Sequence, residues 1–441
     1  MHPSSRTRLF LRGTFILTAV SLLTRVIGFF YRIFLSRAFG AESVGLYQLI
    51  FPVYALCISL SSAGIQTALS RIVARHMSLK NPTRANLALK TALFFSMILA
   101  LFCTFAVQIF APFLSESFLK ETRCIPLLKV MAYSFPFASA HACICGYYIG
   151  LKQTRIPAVS QLLEQTFRVS CVYILYMAAV RQSEETGILI AVCGLVFGEI
   201  VSSFYCIFAV RKAFHKEKQF KKHTASVYAE CFFELFSHSF FLTANRIALN
   251  LLQSIEVISI PQALVRYGLS SSAALSHYGI LNGIALPCIL FPSAVTNSVS
   301  VMMLPTVAEI QAASQKRTLV SMIRKVSASC LFLGLVCTAG FLVTANFLGN
   351  TIFQSPGASS YIRTLAFICP FLYTNSTYIS ILNGLGQTTS TFLINVTGLS
   401  IRIAGVFFLI PRFGMTGYLM GMLFSQLYVF FCCILKLKRS L

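Results

Sequence analysis

Five arginines, Arg25, Arg32, Arg168, Arg246 and Arg402, stand inside runs of apolar residues, away from the short basic gaps that hold the other cations. A guanidinium at the centre of a bilayer costs from about 3 to more than 10 kcal/mol, so such a side chain must face water, a partner or a ligand. Arg25 and Arg32 lie seven residues apart, two helical turns, and share one helix face. Arg25, Arg246 and Arg402 have no carboxylate on a neighbouring turn of their own segment. Arg168 has Glu164 one turn earlier, which leaves both a structural pair and a functional group open. Arg32 sits near the outer end of its segment, where binding a ligand and reaching the headgroups are both open. Guanidinium forks match phosphate oxygens, and apolar walls strengthen the attraction, so the expected guest is an anionic phosphate or pyrophosphate headgroup. Asn245, Asn250 and Gln253 flank Arg246 and could hydrogen-bond sugar hydroxyls.

Intramembrane carboxylates form a second class. Glu199, Glu256 and Glu164 are candidates for coupling to a proton or Na⁺, with neutralisation of a buried arginine as the alternative; Glu234 lies near a segment start. All 12 acidic residues are Glu. Without Asp there is no DxD metal site, aspartyl phosphoenzyme or Ser-His-Asp triad, and HExxH and GxxxxGK[ST] are also missing, so neither an enzyme, a cofactor nor a metal centre is expected. The 15 Cys are scattered through apolar stretches without a CxxC pair and are expected to pack, as are His141 and His277.

The elements that must hold these residues are membrane spans. Hydrophobic residues make up 56% of the chain, charged residues only 11%, and mean hydropathy is +0.76, which excludes a soluble domain. Apolar segments near 13–36, 44–70, 88–113, 126–150, 157–180, 187–210, 232–258, 274–303, 326–348, 362–385, 389–410 and 415–435 predict about twelve transmembrane helices. The first begins after Arg6, Arg8 and Arg12 and lacks a small-x-small cleavage site, so it is expected to stay as an uncleaved span. Alternate loops carry 23 and 8 Lys and Arg, which predicts both termini in the cytoplasm. The formal charge of +24 then reflects anionic lipid headgroups rather than nucleic acid.

The sequence also repeats. At an offset of 234, Ala132, Pro136, Phe137, Gly150, Gln153, Thr154 and Arg168 match Ala366, Pro370, Phe371, Gly384, Gln387, Thr388 and Arg402. This predicts an N-terminal six-helix lobe over 1–210, a basic cytoplasmic linker over 211–228 and a C-terminal six-helix lobe over 229–441. Parallel repeats of this kind suggest a transporter that rocks around a central site.

Thr24-Arg25-Val26-Ile27-Gly28-Phe29, Arg37-Ala38-Phe39-Gly40-Ala41-Glu42 and Val44-Gly45-Leu46-Tyr47-Gln48 resemble the first-helix signature of the polysaccharide exporter and lipid II flippase superfamily, in its stage V sporulation protein B-like branch. Ser62-Ala63-Gly64-Ile65 and Leu252-Gln253-Ser254-Ile255-Glu256 are similar to that branch too. The resemblance implies two lobes around a V-shaped cleft, a MATE-like fold, and movement of an undecaprenyl-pyrophosphate-linked peptidoglycan or polysaccharide precursor to the outer leaflet of a bacterial cytoplasmic membrane. It also implies that Arg25, and Arg32 by register, line a cationic cavity. The lipid II flippases carry an acidic residue where Leu46 stands, and family members often have fourteen spans. Two other classes fit the sequence. One is a cation-coupled multidrug antiporter, which shares the fold but needs a carboxylate site; the other is a non-transporting scaffold for cell-wall synthesis enzymes during sporulation.

Overall fold

The computed structural model describes residues 3–181, 187–216, 225–312 and 316–440. Residues 217–224 of the expected linker, including Lys218, Lys221 and Lys222, lie outside the described residues. Among those described every regular element is helical. In chain order the α-helices are α1 (Pro3–Leu49), α2 (Phe51–Ile58), α3 (Gly64–Ser78), α4 (Pro82–Phe113), α5 (Cys124–Ala132), α6 (Phe135–Gly150), α7 (Arg155–Arg181), α8 (Leu189–Lys216), α9 (Ala225–Tyr267), α10 (Ser271–Gly279), α11 (Leu286–Leu290), α12 (Ser293–Ala312), α13 (Lys316–Asn346), α14 (Pro356–Ala366), α15 (Cys369–Gly384), α16 (Thr388–Phe408) and α17 (Ile410–Ser440). Wider π-helical turns join α2 to α3 at Ser59–Ala63 and α10 to α11 at Ile280–Ala285, and close α4 at Leu114–Leu119 and α13 at Phe347–Ile352.

The protein is an all-α polytopic membrane protein. Among the described residues, eight helical runs are long and apolar enough to cross a bilayer, or ten if each of two bent pairs counts as one span. The difference from twelve apolar segments has two causes. The first two segments fall in a single run, Leu22–Ser78, broken at Gly40, whose φ of 78° is a conformation that only glycine adopts without strain. The α7 segment does not qualify, because Glu164 and Arg168 sit in its middle. The bent pairs are α5 with α6, at 46°, and α14 with α15, at 54°. Pro136 and Pro370 open the second helix of each, where a missing N–H costs nothing.

The helices gather into two compact units, one of Met1–Tyr31 with Leu49–Ser254 and one of Arg32–Gln48 with Ile255–Leu441. Helices α1 and α9 each contribute to both. In the first unit, Leu69 and Val73 of α3, Leu89 of α4, Ile144 of α6 and Cys206 of α8 form a buried core. The second centres on Val307 of α12, Ile323 of α13, Ile381 of α15 and Cys433 of α17. All 15 cysteines are free thiols, buried or half-buried.

Candidate functional site

The first unit holds a buried polar cluster built from four helices. The Tyr54 hydroxyl of α2 donates to Oε1 of Glu199 on α8 at 3.0 Å. Oε2 of that carboxylate lies 3.6 Å from Nδ1 of His141 on α6 and accepts no hydrogen bond among the described residues. Glu164 of α7 places Oε2 4.0 Å from the same nitrogen, and its other oxygen accepts from the Arg168 guanidinium one turn on. The other face of the ring meets Oγ of Ser160, 3.0 Å from Nε2, and Ser160 also lies 3.5 Å from the Cys145 thiol. Glu199 is 6% exposed. His141 is therefore no packing residue. Its partners come from helices distant in sequence, so no local spacing could reveal it; the one available signal is that the 234-residue offset pairs it with Asn375, a second polar residue in an apolar helix.

The other expected site residues separate into those already engaged and those that are not. Helix α9 runs close against α3, since a side chain at Gly64 would put its Cβ 1.9 Å from Oγ1 of Thr243. That approach places Asn250 against the π-turn, where its amide donates to Oγ of Ser59 at 2.5 Å and to the carbonyl of Ala55 at 3.3 Å. Asn250 is thus engaged within the fold. One turn earlier, Arg246 is exposed and reaches only Oγ1 of Thr67, at 3.5 Å. Asn245 and Gln253 are exposed on the same helix. Arg25 of α1 is half-buried and has no hydrogen-bond or carboxylate partner among the described residues.

In the second unit the expected site residues are engaged within the fold. Arg402 of α16 holds Glu256 of α9 in a bidentate pair, Nε at 2.7 Å and Nη2 at 2.5 Å, and Tyr418 of α17 donates to the same carboxylate at 2.9 Å. Glu256 is 1% exposed. Arg32 donates to the carbonyl of Asn282, in the π-turn Ile280–Ala285, at 3.1 Å. Glu234, in the first unit, lies 3.4 Å from both Arg75 and His76.

Among the described residues, two sets of side chains have metal-ligand proximity, with ligand atoms within 4.8 Å of one another: His141 with Glu164 and Glu199, and His141 with Cys145 and Cys206. The guanidinium bonded to Glu164 opposes a divalent cation in the first set.

A sequence profile described as polysaccharide biosynthesis protein matches residues 10–311. The chain belongs to this family. Like this family member, stage V sporulation protein B of Bacillus subtilis (strain 168) spans most of the alignment: 27% identity over 405 residues, 91% of this chain and 78% of the relative. The fold of this polysaccharide biosynthesis family member is also that of a solved structure, "Lipid II flippase MurJ, inward closed conformation", with a TM-score of 0.76 at 13% identity, covering 96% of this chain and 87% of the other. An inward-facing multidrug resistance MATE family transporter of the MOP superfamily gives 0.70 at 15% identity, covering 97% and 98%. The polysaccharide biosynthesis family member is thus a transporter-fold protein of the polysaccharide exporter and lipid II flippase superfamily, as the first-helix residues led one to expect.

Proposed function

We propose that the protein moves a lipid-linked saccharide, a peptidoglycan or polysaccharide precursor carried on an anionic pyrophosphate, to the outer leaflet of a bacterial cytoplasmic membrane. One observation carries this. Of the intramembrane arginines, Arg168 and Arg402 are neutralised by Glu164 and Glu256, whereas Arg25 and Arg246 meet no carboxylate among the described residues. Guanidinium charge left uncompensated within apolar segments is stabilised by an anion brought by the substrate. Arg25 and Arg246 are assigned to the phosphates, with Asn245 and Gln253 for sugar hydroxyls. Arg32, which donates to the carbonyl of Asn282, and Arg168, Arg402 and Asn250 act by shaping the fold. Glu164 and Glu256 serve as counter-ions, and Glu199 remains for ion coupling.

The names of the relatives, a sporulation protein and a lipid II flippase, support a cell-wall precursor, and the sign of the free charges supports an anion over a cationic drug. Two six-helix lobes, 1–210 and 229–441, joined by the basic linker 211–228, alternate access in this reading, with both termini cytoplasmic and anionic lipids and wall-synthesis enzymes as neighbours. Reconstituted protein tested with a fluorescent undecaprenyl-pyrophosphate-linked disaccharide is the direct assay. Arg25→Ala or Arg246→Ala removes charge-assisted bonds worth about 1.5–3 kcal/mol each, so binding should weaken roughly 10- to 100-fold with folding intact. Unchanged translocation in both well-folded variants sinks the assignment, and restored drug efflux in a pump-deleted host would favour the antiporter.

A further inference from the structure

We infer that His141 is a proton carrier: in this conformation it holds protons on both ring nitrogens, with Glu199 as counter-ion. The hydroxyl hydrogens around the ring account for this. Ser160 has an acceptor for its hydrogen in the carbonyl of Pro157, at 2.9 Å, which leaves its Oγ to accept from Nε2 of His141, at 3.0 Å. One ring proton is therefore on Nε2. On the other side, Ser202 has an acceptor for its hydrogen in the carbonyl of Glu199, at 3.0 Å, and Tyr54 gives its own to Oε1 of Glu199, at 3.0 Å. With the Ser202 hydrogen placed, Nδ1 faces Oγ of Ser202 at 3.5 Å and two carboxylate oxygens, Oε2 of Glu199 at 3.6 Å and Oε2 of Glu164 at 4.0 Å. A bare lone pair there would point at two carboxylates. A proton on Nδ1 turns each of these approaches into an attraction, and it supplies the partner that Oε2 of Glu199 otherwise lacks.

The formal charges agree. Arg168 contributes +1 and Glu164 and Glu199 contribute −1 each, so the cluster is one charge negative with a neutral imidazole and balanced with an imidazolium. The groups that face the ring are Glu164, Arg168 and Ser160 from α7, Glu199, Ser202 and Cys206 from α8, Tyr54 from α2, and Cys145 from its own helix. Na⁺ suits this site less, because the ring presents nitrogen and the neighbouring guanidinium repels a cation. One proton taken from water onto Nδ1 changes the cluster by +1, and its release restores the negative charge that must then be met by rearrangement. The site is separate from Arg25 and Arg246, so it stands whatever those residues bind.

The test is ¹⁵N NMR of the full-length, histidine-labelled protein in nanodiscs, with His141→Gln identifying the signal among seven histidines. At pH 7 both His141 nitrogens should show the shifts of a protonated ring. Glu199→Gln, which keeps the hydrogen-bonding shape and removes the counter-charge, should convert the signal to a neutral ring, and it serves also if His141→Gln does not fold. Thermal stability should be the same in Na⁺ and in K⁺. A neutral Nε2–H tautomer at pH 7, or a Na⁺-specific stabilisation abolished by Glu199→Gln, overturns the inference.

Discussion

The two units repeat one arrangement of helices and fill it with different chemistry. At an offset of 234, His141 corresponds to Asn375 and Arg168 to Arg402. The α8 and α17 helices align through a shared contact: Gly198 lies against the carbonyl of Glu164, and Ser425 donates to that of Gly398, the equivalent residue, at 2.7 Å. The next residue along is Glu199 in the first unit and Gln426 in the second. Asn375 donates to both the carbonyl and the side-chain oxygen of Gln426, each at 2.9 Å, so a neutral amide pair occupies the place of the titratable His141 and Glu199. The arginines differ as well: Arg168 is answered from its own helix, Arg402 from Glu256, 146 residues away. A repeated fold thus carries one half that can gain or lose charge and one that is fixed.

The largest effect that would sharpen this contrast is at the fixed pair. Glu256→Ala strands a guanidinium that has lost its bidentate partner, and removing one member of a buried pair costs about 3–5 kcal/mol. Replacing both, as Glu256→Leu with Arg402→Met, should recover most of that loss in detergent unfolding, because the desolvation of both charges disappears together. If Glu256→Ala unfolds no more easily than the wild type, the second unit is not held by this pair and the contrast fails.

How much of this was legible depended on sequence distance. Apolar runs gave the spans because burial in lipid acts on composition alone, and the Pro136 and Pro370 match gave the equivalent bends. The Glu164–Arg168 pair was readable because four residues make one turn. By contrast, Arg402 was expected to hold phosphate and Glu256 either to couple an ion or to neutralise some buried arginine; that the two meet is a tertiary fact no spacing shows. Asn250, expected to meet sugar, is engaged by Ser59, and His141, expected to pack, is the centre of a network. Both cases have one origin: a polar residue in an apolar helix shows that a partner exists without showing whether the fold or a ligand supplies it.

A middle-sized effect follows from copying one unit into the other. His141→Asn together with Glu199→Gln places the amide pair of the second unit in the first, and the exchange of hydrogen bonds should keep stability at pH 7 within about 1–2 kcal/mol of wild type. Glu199→Gln alone, which removes the counter-charge and leaves His141 facing an amide, should cost more stability than the double variant. Equal losses in the single and the double variant would mean that the amide and charged networks are interchangeable, and the distinction between the units would lose its content.

The smallest effect tests whether ion pairs matter here for their burial or merely for their number. Arg84 of α4 and Glu230 of α9 meet at 3.4 Å with side chains 47% and 60% exposed. Water competes for both groups and salt screens them, so an exposed pair contributes about 0.2–1 kcal/mol. A double-mutant cycle with Arg84→Ala and Glu230→Ala should therefore give a coupling several times smaller than the loss at Glu256, and one that vanishes at high salt. A coupling as large as that of the buried pair would place the restraint on α9 at its exposed start, and the difference between the units would then rest on where α9 is anchored.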